Sequence, residues 1–245
     1  MSKHFTFITL GRLVEAIRNG NWSDVPQSAL VITFDDGYKG NYKLMKILKQ
    51  YKVRPTVYLC SHIVNTHRHF WWRAGHPNFY RLKKMPNQKR LTVLRNEAKF
   101  EPEREYDNRQ ALNKSELLEM QPLVDYGSHT KFHPILPNCP AEVSRNEIAA
   151  SKTHLEDMLG QPIEHFCYPN GDYGTREMDY LKDCGYKSAR TLAWGWNDKH
   201  SDPFQLKVIE FLDDSSINML CAHFTGVFVL FRTLRVAVKR LLKLQ

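Results

Sequence analysis

The spacing of apolar residues predicts strands and helices in alternation along the chain. A first helix is indicated by Thr9 as a cap, Gly20 as a stop and four apolar residues on one helical face, Leu10, Leu13, Val14 and Ile17. Apolar runs predict strands at residues 29–34, 55–60, 123–126, 163–168 and 186–192. Helical spacing marks residues 44–51, 141–159 and 175–184. This alternation predicts an α/β fold with a mainly parallel sheet.

A pair of acidic residues ends the strand predicted at residues 29–34. Residues 31–38 read VITFDDGY, so Asp35 and Asp36 follow a β-branched run and precede Gly37. In α/β folds, ligands bind at strand ends, where loops converge at the carboxyl edge of the sheet. Two adjacent carboxylates repel each other unless a cation or a proton neutralises part of their negative charge. The pair therefore indicates either a site for a metal and a base, or an acidic helix N-terminus.

Two histidines follow a later predicted strand. His129 and His133 lie four residues apart in residues 126–134, which read YGSHTKFHP. Gly127 and Pro134 favour a loop at a strand end over a helix. Neutral imidazoles bind zinc and similar metals, and two histidines with one carboxylate leave coordination positions open for water. Histidines at this spacing often occur by chance, but together with the acidic pair they indicate a metal site.

The motifs TFDDGY and GSHTKFHP resemble the first two motifs of the polysaccharide deacetylase family, and residues 166–173, FCYPNGDY, resemble a third. The resemblance covers residues 30–192. It implies a single-domain distorted (β/α) barrel of the polysaccharide deacetylase type and a metal-dependent reaction. It also implies that Asp35 is the general base and that Asp36, His129 and His133 hold a divalent metal. Zinc is the expected ion, and cobalt or nickel would suit the same ligands.

In the family, the third motif forms a wall of the substrate groove. The resemblance therefore predicts substrate contacts for Tyr168, Asn170 and Asp172, and a further contact is predicted for Arg190 in a later strand. In many family members an arginine of the third motif steadies the base, but Cys167 stands at that place here. Arg190 is predicted to bring the missing positive charge. The family's late L-x-H motif, which carries a general acid, is matched only by Leu220 and His223, one residue too far apart. The general acid is therefore unassigned, and a surface or partly packed histidine is the favoured interpretation of His223.

Composition favours one globular domain over residues 1–245. A hydrophobic content of 42% in 245 residues can supply a single core. The cysteines are scattered and odd in number, which suits a reducing compartment: Cys60, Cys139, Cys167, Cys184 and Cys221. The N-terminus has no apolar signal core. We therefore expect a cytoplasmic protein.

The net charge of +9 raises the question of an anionic partner. The basic residues are dispersed and match no nucleic-acid module, so no nucleic-acid partner is expected. An acylated sugar linked to a nucleotide or a lipid, or an anionic membrane surface, fits the charge better.

An inserted segment at about residues 65–113 interrupts the alternation of strands and helices. It is basic and aromatic, and long insertions at strand ends often form lids or binding loops. Trp71 or Trp72 could stack on a sugar ring, but a small satellite core is the favoured interpretation. His67 and His69 could hold a second metal, although no carboxylate lies nearby in the sequence.

The C-terminal residues, at about 215–245, mix apolar side chains with arginine and lysine and predict a basic amphipathic helix. Its uncharged run, residues 219–231, is shorter than the ~20 apolar residues that cross a bilayer. Such a helix can lie on the inner face of an anionic membrane, or it can pack on the barrel with its cations in water. Packing on the barrel is slightly favoured.

Together these features predict a metal-dependent hydrolase that removes an N-acetyl or similar acyl group from an amino sugar in a polysaccharide or lipopolysaccharide precursor. Two alternatives remain. The first is a phosphoryl or glycosyl transferase that uses the two aspartates to hold a metal, which leaves the histidines without a role. The second is a carbohydrate-binding protein of the same fold with impaired catalysis, as the missing arginine and general acid would allow.

Overall fold

The computed structural model of the protein describes residues 4–211 and 216–224. Six strands form one sheet in which all neighbours are parallel and the strand order follows the chain: β3 (Thr33–Phe34), β4 (Thr56–Leu59), β5 (Asp125–Ser128), β6 (His165–Cys167), β7 (Ser188–Trp194) and β8 (Leu206–Val208). The sheet curls into a partial barrel. The predicted α/β fold with a distorted barrel is therefore confirmed.

Helices alternate with the strands along the chain, and α8 follows the last strand. Their bounds are α1 (Leu10–Asn19), α2 (Met45–Tyr51), α3 (Phe79–Lys83), α4 (Asn87–Ala98), α5 (Lys114–Met120), α6 (Ala141–Leu159), α7 (Thr175–Asp183) and α8 (Ile217–Phe224). The predicted signals of α1 are present, because the Thr9 hydroxyl accepts from the backbone N–H of Arg12 and Gly20 ends the helix at φ 68°. Among the described residues, no helix has the length and hydropathy that a bilayer crossing requires.

The strand predicted at residues 29–34 is in fact two short strands. Its first part, β2 (Ala29–Leu30), pairs with β1 (Thr6–Phe7), whereas β3 pairs with β4 in the main sheet. The apolar run continues through both strands, so the sequence pattern does not reveal the change of partner. This division leaves β3 at the edge of the main sheet, directly before the acidic pair.

The inserted segment builds a small core of its own. Trp71, Leu82, Leu94 and Phe100 pack together and against Ile135, which follows the histidine loop. Trp71 is 4% exposed, so its indole cannot serve as a sugar platform, and the prediction of a satellite core is correct. The insertion is thereby held against the part of the chain that carries His133.

The predicted C-terminal helix falls mostly outside the described residues. Its described part is α8, where the Phe224 ring lies 4.9 Å from Phe5 and 5.8 Å from Phe211. Residues 225–245, which carry most of the predicted basic amphipathic pattern, lie outside the described ranges.

Candidate metal centre

The acidic pair and the histidine pair meet at one edge of the sheet. Asp35 and Asp36 directly follow β3, and His129 directly follows β5. The strand between them, β4, is parallel to both. Because parallel strands end at the same edge, the two loops leave the sheet side by side.

Asp36, His129 and His133 converge on one point. The Nε2 atoms of His129 and His133 lie 3.5 Å and 3.7 Å from Oδ1 of Asp36. One donor atom from each of the three residues lies within 4.8 Å of the others. Ligand atoms at ~2.0–2.2 Å from a tetrahedral ion lie roughly 3.3–3.6 Å from one another. The three side chains are thus spaced as ligands of one ion.

Hydrogen bonding supports the same conclusion. The His129 Nδ1 faces the carbonyl oxygen of Cys167 at 2.7 Å, so this nitrogen carries the proton and Nε2 presents a lone pair. Oδ1 of Asp36 is buried and has no hydrogen-bond partner among the described residues. A lone pair that faces a buried carboxylate oxygen is unfavourable unless a cation lies between them. The donor set therefore fits a divalent metal.

The pKa shifts of the three residues follow from burial. Burial, followed by the charge of Asp35, raises the pKa of Asp36 to about 7. Burial lowers the pKa of His129, and burial together with His129 holds the pKa of His133 well below its usual range. Both imidazoles are therefore neutral at neutral pH, which is the form that binds metals.

The backbone at two of these residues adopts the left-handed region. Asp36 has φ 71° and His133 has φ 57°, values that are uncommon for residues with a side chain. Such conformations cost free energy and occur at helix ends, as at Lys52 and Lys99, as well as at functional sites. Between the histidines, the Thr130 hydroxyl accepts from the backbone N–H of His133 at 2.9 Å and fixes the turn.

Asp35 points to a different set of partners. Its Oδ2 accepts from Nη2 of Arg190 in a short ion pair and lies 3.8 Å from Sγ of Cys167. Nη2 of Arg190 is 2.9 Å from the same sulfur. Burial is the largest influence on the pKa of Asp35 and would raise it. The charge of Arg190, the nearby His129 and the hydrogen bonds from Arg190 and Cys167 together outweigh burial and hold this pKa below its usual value. Oδ1 of Asp35 stays without a partner among the described residues and is free to accept a proton.

The four residues predicted to contact the substrate lie in different environments. Arg190 lies against Asp35, as expected of a residue that brings the missing charge, and its part in substrate binding stays a prediction. The Tyr168 side chain is fully buried and its hydroxyl donates to the carbonyl of Phe204, so its ring does not reach a groove. Asn170 and Asp172 are at least partly exposed and hydrogen-bond to each other at 2.8 Å. Their role stays a prediction.

One weaker prediction finds no support, and the interpretation of His223 stays a prediction. His67 and His69 face the backbone carbonyls of Tyr106 and Asn108, and they belong to none of the metal-type clusters in the described part of the chain. The side chain of His223 lies outside what the structure describes.

Three aromatic residues lie beside the metal centre, a position that the sequence did not indicate. The Trp72 ring lies 4.2 Å from that of His133, and its Nε1 donates to the Tyr38 hydroxyl at 2.8 Å. Nε1 of Trp71 donates to the carbonyl of His133 at 2.9 Å. Tyr38 stands two residues after Asp36 in the same motif, which is the one sequence signal that could have identified it. The tryptophans come from the insertion and depend on the tertiary fold.

The site combines a carboxylate and two histidines, spaced as metal ligands, with a second carboxylate that is free to act as a base. On an α/β barrel, this combination is typical of metal-dependent hydrolases. The profile of the polysaccharide deacetylase family matches residues 23–189, which is more than half of the chain. The chain therefore belongs to the polysaccharide deacetylase family. No curated protein matches it significantly.

Solved deacetylases share the fold. A Streptococcus pyogenes deacetylase, PplD, in complex with acetate aligns over 90% of this chain and 80% of its own, with 19% identity and a TM-score of 0.66. IcaB from Ammonifex degensii aligns over 89% and 82%, with 17% identity and a TM-score of 0.65. A de-N-acetylase from Aggregatibacter actinomycetemcomitans aligns over 90% and 84%, with 16% identity and a TM-score of 0.60. At these identities the likeness establishes the fold.

Proposed function

We propose that the protein is a metal-dependent hydrolase that removes the acetyl group from an N-acetylated amino sugar in a polysaccharide or lipopolysaccharide precursor. The observation that carries the proposal is the convergence of Asp36, His129 and His133 beside the free carboxylate oxygen of Asp35. Family membership supports a deacetylase of polysaccharides.

Each residue of the site has a distinct task in this proposal. A divalent ion held by Asp36, His129 and His133 would polarise the acyl carbonyl and lower the pKa of a water molecule. Oδ1 of Asp35 accepts the proton of the attacking water, because Oδ2 is already bound by Arg190. The carbonyl of Cys167 keeps His129 in the tautomer that presents Nε2. Zinc is the expected ion, and cobalt and nickel suit the same donors.

The nature of the substrate rests on weaker support. The similar structures include a deacetylase in complex with acetate and a de-N-acetylase, which favours an acetylated carbohydrate. The net charge of +9 favours an anionic carrier, such as a nucleotide or lipid phosphate. We place the reaction in the cytoplasm or at the inner face of the membrane. This location accords with a polysaccharide precursor as the substrate rather than a mature polysaccharide.

The two alternatives account for the site less well. A transferase that uses only the aspartates would leave His129 and His133 idle, yet both imidazoles face Asp36. A carbohydrate-binding protein without turnover accords with the unassigned general acid, but the missing arginine no longer supports it, because Arg190 brings an equivalent charge to Asp35 from β7. Both observations favour an active hydrolase.

The metal content of purified variants tests the proposal. We expect His129→Ala and Asp36→Ala each to lose tightly bound metal and to stop releasing acetate from N-acetylated sugar oligomers, since each removes one of three protein ligands. His154→Ala, which removes an exposed imidazole from α6, is the matched control and should keep both properties. Elemental analysis and an acetate assay measure the outcome, and full metal occupancy in either ligand variant would refute the proposed site.

A further inference from the structure

A cavity lies behind the loop that carries His133, between this loop and the inserted segment. Its volume is about 60 Å³. Much of its wall is apolar and includes Trp71, Phe100, Phe132 and Pro134. Asn87 and Arg90 of α4 and Glu147 of α6 bring polar groups to the wall, and the proposed ligands of the metal centre are not among its lining residues.

The principal charged group in this wall is Arg90. Its side chain is 1% exposed, and Nη2 donates to Oδ1 of Asn87 at 2.6 Å. Nε and Nη1 are buried and meet no acceptor among the described residues. These two nitrogens carry three of the five N–H donors of a guanidinium. A buried cation with unused donors is unfavourable unless an anion or another acceptor meets it.

Glu147 also lines the cavity, but it serves the histidine loop. Its Oε2 accepts from the backbone N–H of Lys131 at 2.8 Å and of Phe132 at 3.1 Å. No ion pair joins it to Arg90 in the described part of the chain. The guanidinium instead lies over the Trp71 ring, with Cζ 4.5 Å from the ring centroid. The charge of Arg90 thus faces an aromatic ring and, beyond ion-pair distance, the carboxylate of Glu147, while the donors on Nε and Nη1 stay unused among the described residues.

We propose that this cavity is a binding site for a small monocarboxylate. The carboxylate oxygens would accept from Nε and Nη1 of Arg90, and the short apolar end would contact Trp71 and Phe132. One water needs roughly 15 Å³ of such space, so the cavity holds about four atoms of that size, which matches acetate. A phosphate would place polar oxygens against the aromatic wall. Acetate is also the product of the proposed reaction, but the site does not depend on that reaction.

Occupation of the cavity would stabilise the histidine loop. Nε1 of Trp71 donates to the carbonyl of His133, and Phe132 and Pro134 flank this residue on either side. A ligand between Arg90 and Phe132 therefore bridges the insertion and the loop. Because the ligand binds the folded protein, acetate should raise the midpoint of thermal unfolding with the logarithm of its concentration.

The test compares thermal unfolding of the full-length protein in sodium acetate and in sodium chloride at equal ionic strength. We expect acetate to raise the midpoint of the wild type and of Lys89→Met, which removes an exposed cation from the same helix. Arg90→Met should fold, because an apolar side chain of similar length replaces a buried charge, and should lose the acetate effect. Phosphate also stabilises folded proteins in general, so the informative quantity is the part of the shift that Arg90→Met removes, which should be far smaller for butyrate and phosphate than for acetate.

Other results would overturn the proposal. These are no acetate effect in the wild type, an equal effect in Arg90→Met, or an effect that disappears in Asp36→Ala, which would place the anion at the metal centre. If Arg90→Met does not fold, a crystal structure of the wild type grown in acetate decides, and ordered water alone beside Arg90 would refute the site. Loss of deacetylase activity in any variant bears on the proposed function and leaves this inference untouched.

Discussion

Arg190 brings a positive charge to Asp35 although the third motif has no arginine. Cys167 occupies the place of that arginine, and the guanidinium reaches Asp35 from the next strand, β7. Burial raises the pKa of Cys167 well above its usual value, so the thiol stays protonated and can donate toward Oδ2 of Asp35. The departure from the family motif is thus compensated by a neighbouring strand.

Removal of this charge should change the pH dependence of catalysis. Asp35 acts as a base only when ionised, and Arg190 lowers its pKa against the effect of burial. In Arg190→Met the pKa of Asp35 should rise by ~1–3 units. The acid limb of the activity profile, where protonation of Asp35 ends catalysis, should therefore move to higher pH by the same amount. Arg190→Lys keeps a charge and should restore much of the original acid limb. If the profile of kcat/KM against pH is the same in Arg190→Met, Arg190 does not act through Asp35.

Asp35 itself offers a second test at the residue scale. The amide of Asp35→Asn keeps the shape of the side chain but cannot accept the proton of the attacking water. We expect metal to remain bound, because Asp36 and the histidines are unchanged, and kcat to fall ~100-fold or more. Simultaneous loss of metal would make Asp35 a ligand, and near-normal turnover would assign the base elsewhere.

At the scale of elements, the sequence predicts what depends on local signals. Helix α6 has the predicted bounds, and α1 begins and ends at its predicted cap and stop. The meeting of Asp36 with His129 also follows from sequence, because each ends a strand and parallel strands share an edge. The strand before His129 begins at Asp125, two residues later than predicted. The backbone N–H groups of Leu123 and Val124 instead donate to the carbonyl oxygen of Met120, the last residue of α5.

Features that depend on distant contacts were not predictable. The division of residues 29–34 follows from two different partner strands, and the burial of Tyr168 follows from its contact with Phe204. The contacts of Trp71 and Trp72 with His133 join residues about 60 positions apart through the fold of the insertion. No local pattern marks such contacts, because they depend on how the elements pack.

Close packing of β5 gives a prediction at this scale. A Cβ atom on Gly127 would lie 2.5 Å from the Tyr58 ring and 2.8 Å from the carbonyl of His165. Gly127→Ala must therefore separate β5 from β4 or β6, and we expect the free energy of unfolding to fall by ~1–3 kcal/mol. Gly40→Ala is the matched control, because its Cβ would meet nothing within 4 Å. Chemical denaturation measures both, and equal stability of the two variants would contradict the packing argument.

At the scale of the whole molecule, the basic C-terminal residues would act on location rather than on chemistry if they dock on an anionic membrane, which is the alternative to the slightly favoured packing on the barrel. The residues of the proposed metal centre end at Arg190, and Phe224 already connects α8 to the body through Phe5 and Phe211. A protein truncated after Thr225 should therefore stay folded and keep its activity on small acetylated sugars. Its binding to anionic vesicles should weaken, since each lost cation near such a surface removes ~1 kcal/mol.

Charge reversal separates an electrostatic cause from a loss of packing. Replacement of Arg232, Arg235 and Arg240 by glutamate should reduce vesicle binding as truncation does, and added salt should weaken the binding of the unaltered protein by screening. Vesicle co-sedimentation and thermal unfolding measure the two effects side by side. If the truncated protein unfolds, the C-terminal residues belong to the core. If the full-length protein does not co-sediment with anionic vesicles at low salt, the C-terminal residues have no part in membrane binding.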